Sequence, residues 1–259
     1  MTSSPPIVVS SVAEYLAEIS RRWPVPRGVG QRVVFRGQSD SSKLLVPSIV
    51  RPPFNAAAIW RDESDKRPSE RHLLIGFHHQ CAAMFPAWVR DGDERERGWN
   101  VLVLAQHFGL PTRLLDWSSN PLVALFFALE SHPAGCTPGV FVLDSITDSV
   151  TTKGLAASPY NLVAPIYRHN DLGLFSPPHI DGRVIAQGSL FTIGREPTDP
   201  ISAHCIQFNP AGRIQALVDL AALGIHRATL FPDMDGATAY LKWSVRDWGK
   251  VVDGVDPRI

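Results

Sequence analysis

The sequence predicts an α+β domain. Helical and strand-like segments are both present, and they do not alternate as a βαβ chain would require. Apolar residues recur at three- and four-residue steps over 11–23 and 70–89. A short β-branched run bounded by Gly28 and Gly30 occurs at 31–35, and further strand candidates occur at 139–143, 183–193 and 203–208. Helices concentrate early and late, with strands scattered between them. With 259 residues, 44% of them hydrophobic, the chain is long enough for one substantial core. Residues 1–29 read as an N-terminal helix with its lead-in and 30–259 as one compact unit.

The elements follow in order. Ser11 followed by Glu14 fits a capping box, and Val12, Leu16, Ile19 and Trp23 carry a helix over about 11–23 that Pro24 and Pro26 end. Gln31 to Phe35 is a strand that delivers Arg36 and Gly37 to its end. Arg61 to Ser69 is a charged loop, and Leu73, Leu74, Phe77, Cys81, Met84, Phe85 and Trp88 mark a long helix over about 70–89. Asp91 to Arg97 is read as a solvated charge run. Trp99 to Phe108 is a helix stopped by Gly109 and Pro111. Thr112 to Trp117 is a short strand, and Asn120-Pro121 starts the next helix, over Leu122 to Leu129. Strands are then expected at Gly139–Leu143, Arg183–Ile193 and Ala203–Phe208. Helices follow at Ala211–Leu223 and Ala237–Asp247, with Asp233 and Asp235 as caps for the last.

Lysine and arginine number 25 and aspartate and glutamate 25, so no global field draws the protein to nucleic acid or to an anionic membrane. Cys81, Cys136 and Cys205 are odd in number and far apart, which argues against a disulfide framework and a zinc site and for buried free thiols. No segment approaches the ~20 apolar residues that cross a bilayer. A soluble, cytoplasmic protein without membrane association is expected.

Gly28-Val-Gly30 precedes a strand, whereas a dinucleotide-binding glycine loop follows one. P-loop, zinc-protease and nucleophile-elbow motifs are absent. His78 and His79 are adjacent on one helix and point to different faces, as surface or core-edge residues do. The segment 104–130 is different, because it sets His107, Thr112, Arg113 and Asp116 between two apolar stretches. Such a cluster is costly to bury unless its members satisfy one another or hold a ligand. Arg113 and Asp116 face opposite sides of a strand, which leaves Glu70 or a ligand phosphate to meet Arg113. His107 lies at a helix end, where the dipole favours its protonated form. The same residues also read as a buried network bracing the helix at 121, with Trp117 as anchor. Arg36 at the end of a strand reads either as a partly exposed salt-bridge former or as a planar, permanently charged fork for a phosphate or carboxylate, with Gly37 letting the backbone come close to that ligand.

Phe35-Arg36-Gly37, the run Ala105 to Trp117, Asn120-Pro-Leu-Val-Ala124, Gln187-Gly188 before Phe191, and Leu230 to Gly236 together resemble the bacterial FRG-domain family, named for a Phe/Tyr-Arg-Gly motif. The resemblance spans about residues 30–245. The Arg-Gly strand of that family looks like the first core strand of ADP-ribosyltransferases, where an arginine holds NAD. This likeness implies a mixed or antiparallel sheet core flanked by helices. It also implies an NAD-dependent transferase acting on a macromolecular acceptor, in a bacterial toxin or antiphage setting that can include an antitoxin partner.

Under that likeness Arg36, His107, Asp116 and Glu70 are the catalytic candidates. Arg36, Gly37, Thr112, Arg113 and Gln187 are the NAD contacts, with NAD as co-substrate and no metal. One departure stands out: Arg183 to Phe191 carries no acid where such enzymes place a catalytic glutamate. Gln187 can bond a ribose hydroxyl but supplies no charge. Either Asp116 or Glu70 substitutes, or the domain is a non-catalytic nucleotide- or partner-binding module. A nuclease-like hydrolase is the third reading; the missing acidic metal cluster and zero net charge count against it.

Overall fold

The computed structural model describes residues 6–24, 31–54, 70–90, 92–131, 133–147, 172–177, 182–194 and 198–246. Gly28, Gly30, the loop Arg61–Ser69, Asp91 and Asp247 lie outside them. Strands β1 (Ile7–Val9), β2 (Gln31–Gln38), β3 (Leu115–Ser118), β4 (Gly139–Thr147), β5 (Gly173–Phe175), β6 (Ser189–Ile193) and β7 (His204–Phe208) form one sheet in the order β1-β7-β4-β2-β3-β6-β5. The β1–β7 pair is parallel and the other pairs are antiparallel, so the α+β expectation holds with a mixed sheet.

Helices cover the sheet in two groups. Helix α1 (Val12–Arg22) starts at Ser11, whose side chain accepts from the Glu14 amide, as its sequence predicts. With α5 (Pro121–Glu130) and α7 (Arg213–Ala222), it buries Tyr15, Trp23, Leu125, Leu217 and Leu220 on Phe35, Val140, Val142, Ile206 and Phe208. Helices α2 (Glu70–Cys81) and α4 (Glu94–His107) cover the β3–β6 half, where Leu74, Trp99 and Leu102 meet Leu114, Phe191 and Ile193. Residues paired directly across antiparallel strands share a face. Phe35 pairs with Ser118 and Asp116 with Phe191, which sets α4 and α5 side by side on one face of the sheet.

Helix α5 is apolar nearly all round, and a helix of that composition is stable only when enclosed. Asn120 caps its first turn by accepting from the Leu122 amide, and the Tyr15 hydroxyl donates to the Pro121 carbonyl. Arg213 Nε and Nη2 donate to the carbonyls of Leu129 and Glu130 at its far end. Gly37 of β2 lies directly under the helix, since a Cβ there would stand 1.9 Å from the Ala124 carbonyl oxygen. The glycine of the Phe-Arg-Gly run is therefore required by helix packing.

Several expectations change. The 70–89 helix is interrupted: α2 ends at Cys81, a 3-10 turn spans Ala82–Met84, and Pro86 precedes the short α3 (Ala87–Arg90). The charge run before Trp99 is the first turn of α4, because Asp93 and Glu96 form a reciprocal capping box. The expected strand Arg183–Ile193 is helix α6 (Gly182–Gln187) followed by β6. The two are separated by Gly188 at φ +54°, which ends the helical turn despite the β-branched Val184 and Ile185. Residues 112–114 lie outside any strand, with a bend at Arg113, and lead into β3. Strands β1 and β5, three residues each, were not expected. The last elements are α8 (Arg227–Leu230) and α9 (Met234–Arg246), and Asp233 caps α9 by accepting from the Gly236 amide. The three cysteines are free and half-buried. Among the described residues no helix is long and apolar enough to cross a membrane.

Behind the sheet lead-in, Glu70 and Arg113 form a fully enclosed ion pair. Glu70 Oε2 accepts from Arg113 Nε at 2.5 Å and Oε1 accepts from the Arg113 amide at 2.7 Å. Glu70 is 2% and Arg113 3% exposed, so each charge depends on the other for compensation. Two stability outcomes follow from these contacts. Gly37→Ala lowers the urea midpoint by an amount equal to about 1–3 kcal/mol, because neither backbone can retreat. Glu70→Gln keeps an acceptor for the Arg113 amide but strands the guanidinium, costing about 3–5 kcal/mol; Glu70→Gln with Arg113→Met recovers most of that loss in the same measurement.

Candidate functional site

Strands β2 and β3 share a single register pair, Phe35↔Ser118. Past it, toward Arg36–Gln38 on one strand and Asp116 on the other, the ladder stops and the sheet opens into a cleft of about 560 Å³. Gln106, His107 and Gly109 from the end of α4 stand on one side, and Ala124, Phe127 and Glu130 of α5 on the other. Arg183, Gln187 and Ser189 close one end, and Asp40, Lys43 and Arg51 lie along the loops that follow β2.

Arg36 crosses the gap. Its Nη1 donates to the Asp116 carbonyl oxygen at 2.6 Å and lies 3.7 Å from Asp116 Oδ2. The Arg36 side chain is 14% exposed and its Nε is buried without an acceptor, whereas the Asp116 side chain is 55% exposed. Burial pushes the Arg36 guanidinium down to about 10, with Asp116 opposing and the charge of Arg51 adding to the fall. Arg36 therefore stays charged at neutral pH while lacking a full set of partners.

Asp116 is oriented from behind. Gln106 Nε2 donates to both of its carboxylate oxygens, at 3.1 and 2.9 Å. Gln106 Oε1 accepts from the Thr112 hydroxyl at 2.6 Å, and the Thr112 hydroxyl oxygen accepts from the Leu114 amide. The relay holds the Gln106 amide in one orientation, so a donor faces Asp116. Ser118 Oγ donates to the Gln187 carbonyl oxygen at 2.7 Å, and Gln187 Nε2 donates to the Leu230 carbonyl oxygen at 3.1 Å, which fixes the far wall.

Of the residues expected from sequence, Arg36, Gly37, His107, Asp116 and Gln187 line this one cleft. Thr112, Arg113 and Glu70 do not. Thr112 is fully buried behind Gln106, and Arg113 and Glu70 are consumed by their own pair. Glu70 thus stands outside the cleft as a source of negative charge, and the carboxylates that line it are Asp40, Asp116 and Glu130. Glu130 is paired with Arg227, and Asp40 is held below the usual carboxylate range chiefly by the hydroxyl and amide of Ser42.

Gln106, Arg51, Lys43 and Arg183 were not singled out beforehand. Gln106 lies inside the same Ala105–Trp117 run, one turn before the helix end, and was legible there. Arg51 and Arg183 come from segments with no local signal. Arg183 is positioned by the ring of Phe231, 4.5 Å below its guanidinium carbon, with Arg227 at 4.7 Å from the same ring. Four permanent cations and three carboxylates line the cleft, an arrangement suited to an anionic ligand or cofactor. Among the described residues no three histidine, cysteine, aspartate or glutamate side chains are grouped to hold a metal ion.

No curated protein and no solved structure matches the chain. The family model for the FRG domain matches residues 31–135, a span that holds Arg36, Arg51, Gln106, His107 and Asp116, and the chain therefore carries an FRG domain.

Proposed function

We propose that the cleft binds NAD and that the protein transfers ADP-ribose from it to a macromolecular acceptor. The observation that carries this reading is the enclosed Arg36 guanidinium set 3.7 Å from the half-exposed carboxylate of Asp116. The cleft's roughly 560 Å³ falls within the size of small-molecule and cofactor sites. In this reading Arg36 holds the diphosphate. The bond between the nicotinamide nitrogen and the ribose C1′ breaks, and its electron pair leaves with neutral nicotinamide. Positive charge that develops on the ribose meets the Asp116 carboxylate, which Gln106 keeps in place. A nucleophile of the acceptor bonds C1′ from the opposite side and loses its proton. Gln187, whose amide nitrogen is already engaged by Leu230, has its carbonyl oxygen for a ribose hydroxyl. His107 lines the same cleft beside Asp116 and helps orient the nicotinamide half. The toxin or antiphage setting and an antitoxin partner belong to this reading through the family resemblance alone, and a cytoplasmic location through the three free cysteines.

A second reading, a nucleotide-binding module without turnover, is favoured by one feature. Gln187 is an amide where the likeness to ADP-ribosyltransferases expects an acid.

Nicotinamide release from NAD separates the two. The protein is expected to release nicotinamide, and Asp116→Asn, which keeps one acceptor for Gln106 but removes the charge, lowers kcat about 10²–10³-fold with little change in KM. Arg36→Ala weakens NAD binding about 10- to 100-fold, the loss of a charge-assisted contact. Saturable NAD binding without nicotinamide release supports the binding module instead, and full activity in Asp116→Asn removes that carboxylate from the mechanism.

A further inference from the structure

We infer that Arg51 is the second arm of a two-guanidinium seat for a diphosphate, beside Arg36 in the cleft. The inference rests on the nucleotide reading above and sharpens it, naming the part of the ligand that is held and a residue that holds it.

Arg51 follows the 3-10 turn Ser48–Val50, and its guanidinium is pinned along one edge. Nε and Nη2 both donate to the Val46 carbonyl oxygen, at 2.8 and 2.6 Å. Nη1 has no protein acceptor among the described residues. The turn is tied to the segment that leads into β3: the Ile49 amide donates to the Thr112 carbonyl oxygen at 3.3 Å, and the Thr112 amide donates to Ser48 Oγ at 3.2 Å. Arg51 is thereby set against the same backbone that presents Asp116.

The charge inventory of the cleft leaves this region short of negative charge. Glu130 is taken by Arg227, and Asp40 is taken by the amide and hydroxyl of Ser42. Among the described residues Arg51 has no carboxylate within 4.0 Å, and Arg36 has Asp116 alone, at 3.7 Å. Arg51 and Arg36 both sense the Asp116 carboxylate, and the charge of Arg51 is felt at Arg36. Arg36 and Arg51 thus line one cleft with a single half-exposed carboxylate near the first and none at pairing distance from the second, in a partly desolvated place where an uncompensated charge is expensive. The orphaned Arg36 Nε adds an unfilled donor. A planar guanidinium grips phosphate oxygens through paired donors, so two of them match two linked phosphoryl groups. Two linked phosphoryl groups offer each fork its own pair of oxygens, which a single phosphate offers only by sharing them.

The test uses the whole protein, with inorganic pyrophosphate and orthophosphate as probes in calorimetric titrations at matched ionic strength. Pyrophosphate is expected to bind at least about 10-fold more tightly than orthophosphate, and Arg51→Gln and Arg36→Gln each weaken pyrophosphate about 10-fold or more. Arg51→Lys, which keeps the charge without the fork, falls between, and Arg21→Gln on the exposed side of α1 matches the parent protein. Equal binding of the two anions, or pyrophosphate affinity unchanged in Arg51→Gln, overturns the seat. Should Arg51→Gln not fold, Arg51→Lys decides, since an undiminished preference for pyrophosphate there overturns it equally. Arg51-dependent pyrophosphate binding without nicotinamide release from NAD leaves the seat standing and removes the transferase reading. Nicotinamide release indifferent to Arg51 substitution does the reverse.

Discussion

The backbone contact between Gly37 and Ala124 sets the distance between the sheet and helix α5, and the cleft takes its shape from that distance. A side chain at residue 37 would displace the helix. With glycine there, α5 lies flat on β2, its start held by Asn120 and the Tyr15 hydroxyl and its end by Arg213. A wall braced at both ends and apolar on nearly every side has few alternative positions. The opposite wall, the end of α4, is fixed by the Trp99 and Leu102 packing over β6. Between the two walls β2 and β3 pair once and part, so the opening follows from strand divergence between rigid supports.

The two buried arginines of the region show opposite electrostatic solutions. Arg113 sits behind the sheet lead-in with Glu70 at 2.5 Å, and that pair, each charge compensating the other, is a structural brace. Arg36 sits in the cleft with its nearest carboxylate farther off, at 3.7 Å and half-exposed. Chains in which most polar groups are paired tolerate local exceptions chiefly where a ligand completes them. The Thr112–Gln106 relay joins these regimes, because a fully buried hydroxyl orients the amide that orients a half-exposed carboxylate. Rigidity in the buried layer is what lets the exposed layer hold a fixed geometry.

Much of the fold was legible because its signals are local. Ser11 with Glu14, Asn120 with Leu122 and Asp233 with Gly236 are contacts within one helical turn, and each marks a helix start in the structure. Asp93 with Glu96 is a signal of the same kind, obscured by the surrounding charges. The three-residue strands β1 and β5 had no such signal, since so short a run becomes a strand only when a neighbour pairs with it. Arg183 to Gln187 is β-branched enough to suggest a strand, yet the turn at Gly188 and the packing against α8 make it a helix. The cleft residues divide the same way. Asp116, His107 and Gln106 lie within eleven positions of one another, while Glu70 and Arg113 found each other across the chain and left the site.

By itself the sequence determined the α+β composition, the caps, the apolar α5 and the concentration of polar chemistry in 104–117, because each depends on residues a few positions apart. Tertiary structure alone decided which of those polar groups face the cleft and which are buried as braces, and it brought Arg51 and Arg183 to the same opening as Arg36. Ion pairing and burial act between residues close in space, and spatial neighbours far apart in the chain leave no periodicity to read.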